Sequence, residues 1–210
     1  NDGNFRLRNG IFYEFCELAK GSPEVDFVFI IDEINRGNLS KIFGELMMLI
    51  EPDKRDKRYA MTLTYTSGDE DKFHVPENLH LIGTMNTADK SLSLVDYALR
   101  RRFAFLEMDP GFQSKVFAEV LAKAEISQKM IEKIRSTMRD LNKKIEEDAM
   151  NLGRGFRIGH SFFVPGTKVE DEEKWFREII EFEVAPLLEE YWMDDPSGLT
   201  SANSIIGINE

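Results

Sequence analysis

Residues 27–36 read Phe-Val-Phe-Ile-Ile-Asp-Glu-Ile-Asn-Arg, an apolar and partly β-branched run that stops abruptly at two adjacent carboxylates, Asp32 and Glu33. A strand buried on both faces of a parallel sheet reads as such a run, and parallel α/β sheets carry their chemistry at the carboxyl ends of their strands. Two acids at that place suit nucleotide hydrolysis. One holds Mg²⁺ while its neighbour aligns or polarises the attacking water. They suit equally well a strand that simply ends in an acidic surface turn.

Working outward, residues 11–20 have the pattern of a helix that Gly21-Ser22-Pro23 stops, which delivers the chain into the acidic strand. Downstream, Gly37-Asn38-Leu39-Ser40 turns into an apolar helix over residues 41–50. Tyr59, Met61, Leu63 and Tyr65 then alternate with small or polar residues. With a turn at Ser67-Gly68-Asp69 and a return at 72–75, this predicts a β-hairpin. A second buried strand is expected at 79–84, a helix at 91–102 and a third short strand at 103–108, with a further short strand at 5–7. Composition shifts at Asp109-Pro110-Gly111. Residues 113–123, 127–150 and 171–192 carry apolar residues at helical spacing, and the polar stretch 194–203 reads as a mobile tail. The expectation is an α/β core over residues 1–110 followed by a mostly helical domain over 111–210.

The 210 residues suffice for such a core, and 42% hydrophobic with 31% charged residues is ordinary for a globular protein. No apolar stretch approaches the ~20 residues a membrane helix needs, so no membrane association is expected. Cys16 is the single cysteine, which excludes an internal disulfide and a cysteine-based zinc site and makes a reducing, cytoplasmic location the default. A net charge of −11 argues against broad electrostatic binding of nucleic acid by this segment.

Three further features bear on chemistry. The second strand runs into Gly83-Thr84-Met85-Asn86-Thr87-Ala88-Asp89-Lys90-Ser91. An amide at a strand tip beside the acidic one can orient a water or touch a terminal phosphate, although Asn86 equally suits a turn and Asp89 a helix N-cap. Arg100, Arg101 and Arg102 end the following helix. They read as a solvated terminus or as fixed positive charge offered to a neighbouring subunit's triphosphate. Consecutive helical residues point about 100° apart, so all three cannot reach one phosphate. In the glycine-rich segment around Gly153, Gly155 and Gly159, Arg154 or Arg157 could lean on a phosphate, and His160 is expected to be a structural hydrogen-bonder.

In that order these features resemble the AAA+ ATPases. Within that superfamily the chain is similar to the McrB group, the GTP-hydrolysing motor subunits of modification-dependent restriction systems. The likeness rests on residues 31–38, on Phe43-Gly44-Glu45-Leu46, on 85–91, on 96–103 and on Ile158-Gly159-His160-Ser161-Phe162-Phe163. The resemblance implies an AAA+ P-loop core, with a partial parallel sheet flanked by helices and a hairpin insertion, followed by a helical lid. It implies that Asp32 holds Mg²⁺ through water and that Glu33 is the catalytic acid of a Walker B pair. Asn86 would position the water as sensor one, assisted by Asp89. Arg101 and Arg102 would act on the next protomer's nucleotide. The substrate would be GTP (or ATP), the assembly a homo-hexameric ring, and the partners a McrC-like nuclease subunit and DNA read by a domain outside this chain. Lys90 stands where the group has arginine, which keeps the charge and loses the planar fork. The alternative is a non-hydrolysing AAA+-like scaffold whose arginines act only on a partner.

A nucleotide motor also needs a phosphate cradle, G-x-x-x-x-G-K-[ST]. No glycine in the chain is followed by lysine, so the motif is absent here and is expected upstream of Asn1. These 210 residues assayed alone are therefore expected not to hydrolyse nucleotide.

Overall fold

Aromatic residues build the first layer. In a computed structural model, which describes residues 8–64, 72–88 and 100–208, helix α1 (Ile11–Gly21) lays Phe12 and Phe15 edge-on against Phe27 and Phe29 of strand β1 (Phe27–Ile31). Such edge-to-face pairs add about 1 kcal/mol each beyond the area they bury. Cys16 and Ala19 on the same helical face are fully buried, and burial pushes the Cys16 thiol up to about 12, so it is a core residue and no nucleophile. At the helix end, the Asn78 side-chain amide donates to the carbonyls of Ala19, Ser22 and Val25, fixing the entry into β1.

Beyond Asn38, whose side chain caps it by accepting from the Lys41 N–H at 3.0 Å, α2 spans only Leu39–Phe43. The expected helix over 41–50 breaks at Gly44, which takes φ +48, and a 3-10 turn (Gly44–Met47) continues the chain. Leu49 and Ile50 are buried beneath it. Strands β2 (Met61–Thr62) and β3 (Lys72–Phe73) pair antiparallel, Met61 opposite Phe73, which is the expected hairpin in shortened form. Tyr59 is drawn instead into a 3-10 turn (Lys57–Tyr59) that Asp56 caps. Past β2, the Glu45 carboxylate accepts from both the N–H and the hydroxyl of Thr64 (2.9 and 2.7 Å), and these bonds hold it below the usual carboxylate range.

Strand β4 (Leu79–Gly83) pairs parallel with β1, from Phe27 opposite Leu79 to Ile31 opposite Gly83. Phe27, Phe29, Ile31 and Leu81 join the core with α1 and α2. The other face is open: Val28, Ile30 and Ile82 are 47%, 64% and 48% exposed. The expectation of two-sided burial is corrected accordingly, because the helices described here pack on one face only. The Arg55 guanidinium binds the carbonyls of Ile50 and Leu79 and so ties the start of β4 to the core. The third strand expected at 103–108 does not form a ladder with any described strand, and Leu106 and Met108 are nearly fully exposed. The strand expected at 5–7, the hairpin turn Ser67-Gly68-Asp69, nearly all of the helix expected at 91–102, and Asp89, Lys90, Ser91 and Asp96 lie outside the described residues.

Residues Asn1–Leu106 form one compact unit and Glu107–Glu210 a second. The second is helical: α3 (Lys115–Lys123), α4 (Gln128–Glu147), α5 (Glu172–Ile179), α6 (Ala185–Tyr191) and α7 (Pro196–Ile206). Ser114, Ser127, Asp171 and Asp195 each cap the helix that follows by accepting from a backbone N–H of its first turn. Between α5 and α6 a π-helical turn (Ile180–Val184) absorbs Pro186, which has no N–H to donate and would clash with the carbonyl four residues before it. The stretch 194–203, expected as a mobile tail, is corrected: residues 196–203 belong to α7. Asp195 caps it, Pro196 opens it, and Ala202 and Ile206 are buried in the helical core.

One buried polar residue organises this core. Asn142 on α4, 8% exposed, donates to the Ile158 carbonyl at 3.0 Å and accepts from the Ile158 N–H at 2.6 Å. It thereby anchors the glycine-rich segment to the long helix. Asn142→Leu would leave both Ile158 groups buried without partners, and is expected to destabilise this unit by about 3 kcal/mol in chemical denaturation. No helix among the described residues is long and apolar enough to cross a membrane.

Candidate functional site

The register of β1 and β4 decides where the acids fall. Because Ile31 lies opposite Gly83, the next residues along, Asp32 and Thr84, come side by side at the carboxyl ends of both strands. The chain closes over this edge through two backbone bonds, Thr84 N–H to the Ile31 carbonyl (3.0 Å) and Ile34 N–H to the Thr84 carbonyl (2.8 Å). Gly83 permits the closure, since a Cβ there would sit 2.6 Å from Ile34 Cδ1. The Thr84 hydroxyl donates to Asp32 Oδ1 and accepts from the Glu33 N–H at 3.1 Å. Asn35 donates from its side-chain amide to the Asn86 carbonyl at 3.2 Å, and its buried Oδ1 has no partner among the described residues.

Glu33 takes φ +50, a left-handed conformation uncommon for a residue other than glycine and frequent at functional sites. Its carboxylate is 47% exposed and meets Arg36 Nε at 2.6 Å. Asn86 lies past the end of β4 and accepts through Oδ1 from the Ala88 N–H (3.0 Å), an Asx turn. Asp32, Glu33 and Asn86 are thus brought to one edge; Asp89 lies outside the described residues.

The two arginines differ. Arg102, 19% exposed at its side chain, donates from Nε to the Met47 carbonyl (2.8 Å) and pairs through Nη2 with Glu51 Oε1 (2.7 Å). Glu51 also binds Lys54 (2.6 Å), and these two cations, Lys54 first, hold its carboxyl below the usual range. Arg101 is exposed, and with Arg102, Glu51, Pro52 and Asp53 it lines an open groove of about 290 Å³.

Within the helical unit, Arg157 is 13% exposed and surrounded by Asp109 (2.6 Å), Glu146 (3.2 Å) and Glu107 (3.6 Å). Its charge is compensated locally, which leaves Arg154, exposed on the preceding turn, as the better placed of the two for a phosphate. His160 accepts through Nδ1 from the Gly111 N–H at 2.9 Å and lies edge-on to Phe112 and Phe117, a structural role.

Thr84, Asn35 and Arg36 were not singled out by the sequence reading. The equal offset of Thr84 and Asp32 from their strands appears only with the observed bounds of β1 and β4, since the strand expected at 79–84 includes Thr84.

A parallel strand pair with acids and an amide at its carboxyl edge, and a separate helical unit, are consistent with the AAA+ class, a P-loop core followed by a lid. Comparison with known proteins agrees. Residues 1–103 match the AAA domain of the dynein-related subfamily, and residues 133–200 match the family described as McrB, alpha-helical lid domain. The chain belongs to the McrB-type AAA+ proteins. It is 50% identical over 198 residues to the type IV methyl-directed restriction enzyme EcoKMcrB subunit of Escherichia coli (strain K12), covering 93% of this chain. It is 30% identical over 111 residues, 49% of this chain, to the type II restriction enzyme BsuMI component YdiS of Bacillus subtilis (strain 168). The chain spans 43% and 32% of the lengths of these relatives.

Proposed function

We propose that this chain is the Walker B-to-lid part of a ring-forming motor of a DNA restriction system that hydrolyses GTP (or ATP) with Mg²⁺. The observation that carries the reading is the shared edge, where Asp32, Glu33 and Asn86 converge although more than 50 residues separate the amide from the acids. The relatives are restriction-enzyme components by name. Residues 1–110 are taken as the core and 111–210 as the lid, the boundary falling at Asp109-Pro110-Gly111.

Asp32 suits Mg²⁺ because it offers hard carboxylate oxygen at an exposed strand end. Among the described residues no three His, Cys, Asp or Glu side chains converge as a metal cage. That donor set fits a cation shared between one carboxylate and nucleotide phosphates. Bound there, Mg²⁺ would neutralise charge developing on the phosphates. Glu33 takes the proton of the attacking water, and Asn86, with Asp89, orients that water. Arg101 reaches the neighbouring protomer's nucleotide, and Arg102 anchors the segment that carries it. The ring is homo-hexameric, its nuclease partner is a McrC-like subunit, DNA binds through another domain, and the protein works in the cytoplasm.

The test is titration of the full-length protein with GTP and ATP, with and without Mg²⁺, followed by phosphate release. Mg²⁺-dependent binding and turnover of GTP in preference to ATP are expected. Binding without turnover, in rings complete with partner, would favour the scaffold reading.

A further inference from the structure

We propose that Thr84 is a positioning residue of the hydrolytic site, its hydroxyl setting both the carboxylate of Asp32 and the backbone of Glu33. The proposal rests on the reading of Asp32 and Glu33 as the magnesium-holding and catalytic acids. A threonine hydroxyl has one proton to donate and two lone pairs. Here the proton goes to Asp32 Oδ1 and a lone pair receives the Glu33 N–H at 3.1 Å. One oxygen atom therefore touches both members of the acidic pair from the opposite strand.

The remaining polar groups of Thr84 serve the same end. Its N–H and carbonyl bond Ile31 and Ile34, which bracket Asp32 and Glu33 in the chain. Four hydrogen bonds from a single residue thus hold a two-residue acidic turn whose second member sits at φ +50. β-Branching restricts the threonine χ1, which favours the rotamer that these two hydrogen bonds select. With Oδ1 engaged, Asp32 presents its other oxygen to solvent in a fixed orientation, and Glu33 keeps its turn whether or not its side chain is paired with Arg36.

Thr84 is exposed, so water replaces the lost bonds when the hydroxyl is removed, and the fold loses little. What is lost is orientation. A misplacement of about 1 Å at a reacting group costs on the order of 100-fold in rate. Removing a group that orients a metal ligand typically weakens metal affinity about 10- to 100-fold.

Thr84→Val keeps the shape and deletes the hydroxyl. In the full-length protein it is expected to lower kcat about 30- to 100-fold with KM for GTP within about threefold. The Mg²⁺ concentration that half-saturates binding of a non-hydrolysable GTP analogue is expected to rise about tenfold. Thr84→Ser should restore both to within about threefold of wild type, because the oxygen returns. Thr84→Ala repeats the deletion with less bulk should valine disturb the fold, which the melting temperature reports. Retention of the wild-type kcat and Mg²⁺ half-point by Thr84→Val and Thr84→Ala overturns the proposal, provided Glu33→Gln is inactive in the same assay. An active Glu33→Gln instead overturns the reading of the acids on which it stands.

Discussion

Glu33→Gln in the full-length protein is expected to bind nucleotide and assemble normally while turnover falls at least about 100-fold, the lower bound for losing a general base. Glutamine matches glutamate in size, and the groups that shape this turn are backbone: the Glu33 N–H on Thr84 and the Ile34 N–H on the Thr84 carbonyl. Neither bond uses the carboxylate. The contact of that carboxylate with Arg36 lies between groups 47% and 61% exposed. Exposed pairs of that kind contribute about 0.5 kcal/mol or less, so folding stability should hold. What the amide lacks is an oxygen basic enough to take a proton from water. Titration with labelled nucleotide and phosphate release from the same preparation separate the two effects. Turnover equal to wild type refutes the role of Glu33. Loss of nucleotide binding would mean that the side chain holds the nucleotide or the turn rather than acting on water.

The parts of this site differ in how far the sequence exposes them. Strands β1 and β4 are legible because each is a short apolar run ended by polar residues, and α4 because Met130, Ile134, Met138, Leu141 and Ile145 recur at helical spacing behind the cap Ser127. Burial is less legible, since it belongs to the neighbours as much as to the residue. Val28 and Ile30 look no different from Phe27 and Phe29, yet the described helices cover only one side. Helix α7 is hidden by its own composition: Ser197, Thr200, Ser201 and Asn203 read as a polar tail, and the Asp195-Pro196 start signal outweighs them only because Ala202 and Ile206 find a core. Thr84 and Glu51 are hidden differently. Each acts on a residue about 50 positions away, and only the pairing of β1 with β4, or the packing of Arg102 on the Met47 carbonyl, brings the partners together.

That packing makes the arginines separable, and the expected result is a division of labour. Arg101→Ala should lower turnover about 1000-fold, the lower end of what a transferred arginine contributes to phosphoryl transfer, from a side chain that is exposed. Arg102→Ala strips the Met47 carbonyl and Glu51 of their guanidinium while Glu51 keeps Lys54, so its first effect is a lower melting temperature. Whether Arg101 works on its own protomer or the next one is decided by mixing. Subunits carrying Arg101→Ala retain Glu33, and subunits carrying Glu33→Gln retain Arg101. If arginine and nucleotide come from adjacent protomers around a ring of heterologous contacts, random equimolar mixing places an intact acid beside an intact arginine at about a quarter of the interfaces. Hydrolysis should then recover to about a quarter of the wild-type rate from two preparations that are each nearly inactive. An arginine that served its own protomer's nucleotide would find no intact partner in any combination. Mixed rings, verified by co-purification of differently tagged subunits, that stay as inactive as their parents would therefore overturn the action in trans.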